Sequence, residues 1–304
     1  MDKDCEAESK FFPASGIRLC STIFDYNASI FCYVLIDNLN HNRLTSSLDQ
    51  NFYREFFRMP LSQPIAKKSY KRILLKLSGE MLTEGQSFGI HPNACQGLAK
   101  SIKALHDTGV EIGIVIGGGN IFRGTNLQSM GIARSPADMM GMLATLINGT
   151  ILQESLENIG CKAKVLTALE CPKIAESYTW RAAMHSLDSG VVTIFVGGTG
   201  NPYFTTDTAA ALRASEIRAD ILLKATKVDG IYSKDPLKHS DAIKYKTLSY
   251  SQMLAEKLEI MDATAVALCR SNHIPILVFN MQKLKENTSD LLSQHDFGTL
   301  VSGE

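Results

Sequence analysis

From Lys71 onward the chain repeats one pattern: apolar runs too uniformly hydrophobic to have a wet face, separated by segments of helical spacing. The runs are "RILLKL", "VEIGIVI", "KAKVLTAL", "VVTIFV", "ADILLKAT" and "IPILVFN". A strand that is apolar at successive positions, rather than at every second one, must be covered on both faces. Alternation of such strands with helices therefore predicts a mostly parallel central sheet in a three-layer α/β/α sandwich. Between the strands, Leu98, Ile102 and Leu105 mark a helix that stops at Gly109. "SPADMMGMLATLINGTILQESLENIG" reads as a long helix with Pro136 in its first turn and Gly160 at its end. Its abundant Met, Leu and Ile imply burial on more than one side, including against another subunit. Further helices are expected around "SYTWRAAMHSLDSG", after the "VVTIFV" strand, near "YSQMLAEKL" and "DATAVALCRSN", and before a closing "GTLVS".

In a parallel sheet, ligands bind where the carboxyl ends of the strands open into loops. Unusual residues concentrate at those points. The first strand ends in "KLSGE", with Lys76 inside an otherwise apolar run and Ser78-Gly79 at its end. The second ends in "GGGNIFRG", with Arg123 just past the turn. The strand "VVTIF" leads into "GGTGNPYFTTD", Gly197 to Asp207, where three glycines, an Asn-Pro turn, an aromatic pair and three hydroxyls precede a helix. "ADILLKAT" continues into "KVDGIYSKDP", so that Lys224 to Pro236 forms a fourth such segment. One glycine turn means little, since tight turns need glycine anyway. Three at strand ends, two with basic side chains close by, point to phosphate held by backbone N–H groups and helix N-termini. The P-loop signature is absent. "GGGNIFRG" also departs from G-x-G-x-x-G, because its sixth position is Phe122.

Composition narrows the partners. With 31 basic and 31 acidic side chains the formal charge is zero, so nucleic acid is not expected as the main partner. The seven cysteines form no C-x-x-C pair and no zinc-ligand spacing, the pattern of a reduced, cytoplasmic protein. Residues 1–66 differ from the rest. Their longest apolar stretch, "IFCYVLI", is far short of the ~20 residues needed to cross a bilayer. Acids at Asp2, Asp4, Glu6 and Glu8 argue against a secretory signal, and Asp25, Asp37, Asp49 and Glu55 against a transit peptide. The expectation is a loose N-terminal extension over 1–66, or a translation start at Met59, followed by a catalytic domain over 67–304.

Taken in order and spacing, "KLSGE", "VIGGGNIFRG", "TGNPYFTTD" and "KATKVDGIYSKDP" resemble the bacterial UMP kinases (uridylate kinases) of the amino-acid kinase superfamily. The resemblance runs from about Tyr70 to the C-terminus. It implies the amino-acid kinase-like fold and transfer of the γ-phosphoryl of Mg-ATP to UMP, giving UDP for pyrimidine nucleotide biosynthesis. Matching positions assign ATP to Lys76, Leu77, Ser78, Gly79, Gly119 and Arg123, with Thr226, Tyr232 and Asp235 nearer its nucleoside. They assign UMP to Gly118, Asp138 and the loop Thr199, Gly200, Asn201, Pro202, Tyr203, Phe204, Thr205 and Thr206. There Thr205 and Thr206 would donate to phosphate oxygens, and the backbone near Asn201 and Phe204 would read the base. Lys76 and Arg123 are the implied catalytic cations. Mg²⁺ would arrive with ATP, without direct protein ligands, and Asp207 and Asp262 would position it through water. The resemblance also implies a homohexamer built from dimers, inhibited by UTP and activated by GTP; Met81 to Ile90 aligns with the segment tied to effector response.

Plainer readings stand beside these. Asp138 falls in the first turn of the long helix, where an acid favours the helix dipole whatever its other role, and Asp207 shares that ambiguity. Tyr232 reads equally as an ordinary strand aromatic. His91, His106, His185 and His273 show no ligand spacing and read as surface or capping residues. Two alternatives to UMP kinase activity remain: a carboxylate or carbamate kinase of the same superfamily, and a nucleotide sensor that binds without turnover. The first would keep the ATP-side motifs but lack the "TGNPYFTTD" pocket; the second need not keep Lys76 and Arg123.

Overall fold

The computed structural model describes residues 70–122, 130–258, 260–286 and 297–303. The expectations for residues 1–66 and for a start at Met59 lie outside them. Nine strands form one sheet among the described residues: β1 (Arg72–Leu77), β2 (Glu111–Ile116), β3 (Ala163–Thr167), β4 (Glu176–Ser177), β5 (Val192–Val196), β6 (Ile221–Thr226), β7 (Thr247–Leu248), β8 (Ile276–Asn280) and β9 (Gly298–Val301). Their spatial order is β4-β3-β5-β2-β1-β6-β8-β9-β7, and every pairing is parallel except β8 with β9. The helices are α1 (Pro92–His106), α2 (Arg134–Glu157), α3 (Trp180–Asp188), α4 (Thr206–Glu216), α5 (Tyr250–Ala255), α6 (Ala263–Ser271) and α7 (Met281–Glu286).

Two cores sandwich the sheet, and strand parity decides which residue enters which. Ile73, Leu75 and Leu77 of β1 pack with Leu98 and Ile102 of α1, Leu152 of α2 and Leu284 of α7. Leu74 faces the other way, with Ala209, Ala210 and Ala214 of α4, Val266 of α6 and Leu187 of α3. The layering is thus the expected α/β/α arrangement. Period-2 alternation also aims Lys76 at the α4 side, along with Leu74. At the opposite, N-terminal end of the sheet, buried Arg72 closes the structure by ion pairs to Glu111 (2.6 Å) and Asp188 (2.7 Å) and a bond to the Ile217 carbonyl (2.7 Å).

Some details depart from the sequence reading. The two-residue strands β4 and β7 were not foreseen, and β9 runs antiparallel to β8. Helix α2 begins at Arg134 with Ala133 as a cap that makes no side-chain bond. Asp138 is therefore one turn further in than expected, beyond the reach of a first-turn dipole effect. The inner face of α2 buries Met142, Leu146 and Leu152, while Met139, Leu143 and Ile147 on its outer face stay 40–48% exposed. Among the described residues no helix is long and apolar enough to cross a membrane.

Helix α2 lies close upon β5 at Gly149, where an added Cβ would sit 2.3 Å from Val196 Cγ1. Alanine would gain about 1 kcal/mol of helix propensity, against about 1–3 kcal/mol for overpacking a core that cannot yield. Val196 is buried and β-branched, so the clash wins. Gly149→Ala is expected to lower the urea-unfolding midpoint despite its better propensity; an unchanged or raised midpoint would contradict the close packing.

Candidate active site

Adjacent strands β1 and β6 carry the same four residues, Ile-Leu-Leu-Lys, in matched register: Ile73 pairs with Ile221 and Lys76 with Lys224. Both lysines therefore leave the sheet side by side, on the face covered by α4. Asp207, in the first turn of α4, lies between them. Lys76 Nζ is 2.8 Å from its Oδ1, and Lys224 donates to its Oδ2. The Lys76 approach lacks the angle of a full hydrogen bond, leaving a chiefly coulombic contact. Burial would raise the carboxyl, but the two ammonium groups overcome it and hold Asp207 below the usual carboxylate range. Burial, and then the charge of Lys76, push Lys224 down to about 8, with Asp207 pulling the other way.

The start of α4 is built to hold Asp207 in place. Thr205 caps the helix, its hydroxyl oxygen accepting from the Asp207 and Thr208 amides at 3.1 and 3.2 Å. That hydroxyl donates its single proton to Asp262 Oδ2. Asp262 in turn caps α6 through Ala265 N (3.0 Å) and accepts from Thr208 Oγ1 (2.9 Å). Both oxygens of Asp262 are thus taken up by hydroxyl and backbone donors, and Thr205 has no proton left for a phosphate in this arrangement.

The loop 197–206 is held from two sides. Gly197, Gly198 and Gly200 all take positive φ. Tyr203 does so without being glycine, at φ 73°, a conformation that costs about 1–2 kcal/mol. Its amide donates to Asp138 Oδ2 at 2.8 Å, and Arg134 stacks 4.9 Å over its ring, so the start of α2 pins the strained residue. From beneath, buried Arg213 donates to the Gly198 carbonyl (3.3 Å), lies 3.7 Å over the Tyr178 ring and pairs with Glu216 (2.6 Å). Between this loop and α2 opens a cavity of about 260 Å³, lined by Gly118, Gly119, Asp138, Phe204, Thr205 and Thr206 among others.

On the other side of the lysines, Ser78 accepts from Glu80 N (3.4 Å) and begins a 3-10 turn over Gly79–Leu82. Glu80 and Lys227 pair at 2.8 Å, joining the loops after β1 and β6. The Thr226 hydroxyl turns back to the Val228 carbonyl (2.7 Å). Tyr232 and Asp235 stand on the excursion between β6 and β7: Tyr232 donates to Asp229 (2.6 Å), which also pairs with Lys244, and Asp235 accepts from Leu237 N. Of the residues expected from the sequence, Gly118, Gly119, Asp138, Phe204, Thr205 and Thr206 line the cavity, Lys76 and Asp207 meet in the ion cluster, Ser78 caps the turn after β1, and Tyr232 and Asp235 stand on the β6–β7 excursion. Arg123 lies outside the described residues. Lys224 and Arg213 were missed, although the repeated "ILLK" was a signal for the first. Among the described residues no group of three His, Cys, Asp or Glu is poised to ligate a metal.

Removing the central carboxylate tests this cluster. Asp207→Ala leaves two ammonium groups facing each other in a buried site, which costs about 3–5 kcal/mol. Protonated Lys224 is disfavoured in the fold, and loss of Asp207, which pulls its proton affinity up, pushes it further below about 8, so the added repulsion is present at low pH and relieved as pH rises toward and past that value. Urea unfolding should therefore show a smaller wild-type-to-variant gap at about pH 10 than at about pH 7; an equal gap would mean the lysines do not repel.

The amino acid kinase family model matches residues 71–280. A protein named uridylate kinase from Protochlamydia amoebophila is 63% identical over 232 residues, which is 76% of this chain and 92% of that relative. Another of that name from Dichelobacter nodosus is 48% identical over 235 residues, 77% of this chain and 97% of the relative. The crystal structure of UMP kinase from Bacillus anthracis superposes with a TM-score of 0.73 at 36% identity, covering 77% of this chain and 97% of that one. That of UMP kinase from Ureaplasma parvum gives 0.72 at 37%, covering 77% and 99%. With its sheet, its loops and these relatives in agreement, the chain belongs to the amino acid kinase family.

Proposed function

We propose that the chain transfers the γ-phosphoryl of ATP to UMP, giving ADP and UDP. The observation that carries this reading is the Lys76–Asp207–Lys224 cluster, set between the 260 Å³ cavity on one side and the loops after β1 and β6 on the other. The 63% identity to a uridylate kinase supports the choice of substrate. UMP occupies the cavity beside Gly118, Asp138 and the loop Thr199 to Thr206. ATP lies over Lys76, Leu77, Ser78, Gly79 and Gly119, its nucleoside toward Thr226, Tyr232 and Asp235. Arg123 remains assigned to the phosphates from its place in the sequence.

Donor and acceptor are both polyanions, so the first obstacle is their repulsion. Phosphoryl transfer asks chiefly for alignment and for positive charge on the transferring group. Lys76 and Lys224 supply that charge at one level across the sheet, and the low local dielectric strengthens it. Asp207 is a positioning residue: it keeps the two ammonium groups together and charged without approaching the substrate. The acceptor is already an anionic phosphate near neutral pH, so no general base is needed. Thr206, which lines the cavity, takes the phosphate contact that Thr205 cannot make while bound to Asp262. Mg²⁺ would travel on the ATP phosphates and neutralise part of their charge. Asp262 then serves as a brace for Thr205 and Thr208 in place of a metal-positioning role.

A carboxylate or carbamate kinase would leave the 197–206 loop, its strained Tyr203 and the Asp138 contact without a purpose. A sensor would have no use for a buried Lys224 and a part-buried Lys76 drawn together on one carboxylate. The outer stripe Met139, Leu143 and Ile147 fits association between copies, as a hexamer built from dimers requires. Inhibition by UTP follows from competition for the UMP cavity, GTP activation is assigned to the Met81–Ile90 segment, and a cytoplasmic location suits the pyrimidine pathway.

The test is coupled ADP release with Mg-ATP, offering UMP, aspartate and carbamate separately. Turnover on UMP alone is expected, and Lys76→Met and Lys224→Met should each lose about 10³-fold or more in kcat. Turnover on aspartate or carbamate in place of UMP, or full activity in Lys224→Met, would overturn the reading. Because Lys224 must be protonated to act, kcat/KM should fall by about tenfold per pH unit above its value of about 8. A profile flat from about pH 7 to about pH 10 would remove Lys224 from the machinery.

A further inference from the structure

Two buried amides outside the substrate contacts close a ring on each other. Asn120, the last residue of "GGGN", and Asn148, in the middle of α2, are 1% and 0% exposed. Asn148 Nδ2 donates to Asn120 Oδ1 at 2.7 Å, and Asn120 Nδ2 returns a bond to Asn148 Oδ1 at 3.1 Å. The second proton of Asn148 goes to the Gly117 carbonyl (2.7 Å), and that of Asn120 to the Gly89 carbonyl (3.0 Å). All four amide protons are therefore used, which is what two such groups need to be buried without cost. Gly89 N also donates to the Asn120 carbonyl at 2.8 Å.

The ring abuts the end of β1. A Cβ on Gly79 would lie 2.2 Å from Asn120 Oδ1 and 2.6 Å from the Gly117 carbonyl, both within the network. The pair thus spans the Ser78-Gly79 turn, the Gly117–Gly119 turn, the base of the Thr83–Gly89 excursion and the long helix. The helix itself does not call for polarity here, since α2 buries Met142, Leu146 and Leu152 toward the same core; the amides answer to the Gly117 and Gly89 carbonyls, which an apolar side chain would leave without these donors. An amide pair instead fixes the carbonyl of Gly117, and with it the direction of the Gly118 and Gly119 backbone.

We propose that Asn120 and Asn148 are positioning residues that set the relative placement of the two glycine turns, and so the alignment of donor and acceptor phosphates. The inference rests on the reading of those turns as the seats of ATP and UMP. Since the proposed function assigns Gly118 to UMP and Gly119 to ATP, displacement of the turn they share would misalign the reacting groups more than it weakens either binding. The signature is a loss in kcat that exceeds any rise in the two KM values.

The experiment uses the full chain and the variants Asn148→Asp, Asn148→Ser and Asn120→Ser, with melting temperature, kcat and both KM values measured across pH. Ionised, the new carboxylate faces Asn120 Oδ1 and the Gly117 carbonyl and repels both; protonated, its hydroxyl donates to one of them. Asn148→Asp should lose on the order of 10²-fold in kcat at about pH 8. Its kcat relative to wild type should then recover about tenfold or more toward about pH 5.5, as the buried carboxyl takes up its proton. Asn148→Ser should lose kcat at every pH with smaller changes in KM, and Asn120→Ser should match it because the pair acts as one unit. A ratio for folded Asn148→Asp that is flat with pH overturns the inference, as does kcat within about twofold of wild type in Asn148→Ser or Asn120→Ser. Should Asn148→Asp fail to fold, the two serine variants decide alone. A lower melting temperature with intact kcat assigns the pair to stability only and also overturns it. Absence of UMP turnover by the unmodified chain is a separate result: it overturns the functional reading, and this inference with it.

Discussion

Two like charges on neighbouring strands repel by about 4 kcal/mol at 4 Å in a partly buried setting, and the architecture around Lys76 and Lys224 is arranged to sustain that. Matched register makes the repulsion unavoidable, because each lysine leaves the sheet on the same face at the same height. One carboxylate must therefore reach both, and it comes from a helix, since the flanking strands present Val115 and Val278 at that level of the same face. Asp207 meets the requirement only if α4 starts at the right residue. Thr205 as cap, and Asp262 holding Thr205 from the next helix, fix that start. A chain of contacts thus runs from sheet register to helix cap to the head of α6, with the lysines at its centre.

The two ends of the sheet use charge in opposite ways. At the N-terminal end Arg72 is fully matched by Glu111, Asp188 and a backbone carbonyl, a closed arrangement with no vacancy for a ligand. At the C-terminal end two cations share one anion, leaving positive charge unspent in a cleft. That asymmetry is what a polyanionic substrate can use, and strain at Tyr203 gathers at the same end.

Much of this was legible in the sequence, for identifiable reasons. Uniformly apolar strands announce a buried parallel sheet, and each of the six runs became a strand. The two-residue strands β4 and β7 carry too few positions for any periodicity to register. The start of α2 was misplaced because Ala133 and Arg134 offer no Ser, Thr, Asp or Asn cap to mark it. Lys76 stood out because it interrupts an apolar run next to glycines. Lys224 interrupts an identical run, but it lay within a segment already noticed for its glycine and acids. Asn148 and Arg213 were invisible for a different reason: on a helix, a lone polar residue reads as solvent-facing, and only tertiary contacts reveal that its partners are carbonyls of loops 31 and 15 residues away in sequence.

The depressed proton affinity of Lys224 has a consequence for the thermodynamics of occupancy. An empty site holds this ammonium weakly, because burial and Lys76 oppose it. A phosphate dianion placed alongside would tighten its grip on the proton. With the phosphates seated as proposed, nucleotide binding above neutrality would draw protons from solution, and the heat of binding would vary with the ionisation enthalpy of the buffer. Affinity and protonation become a single linked equilibrium, and the cleft behaves in effect as a receptor for phosphate and proton together.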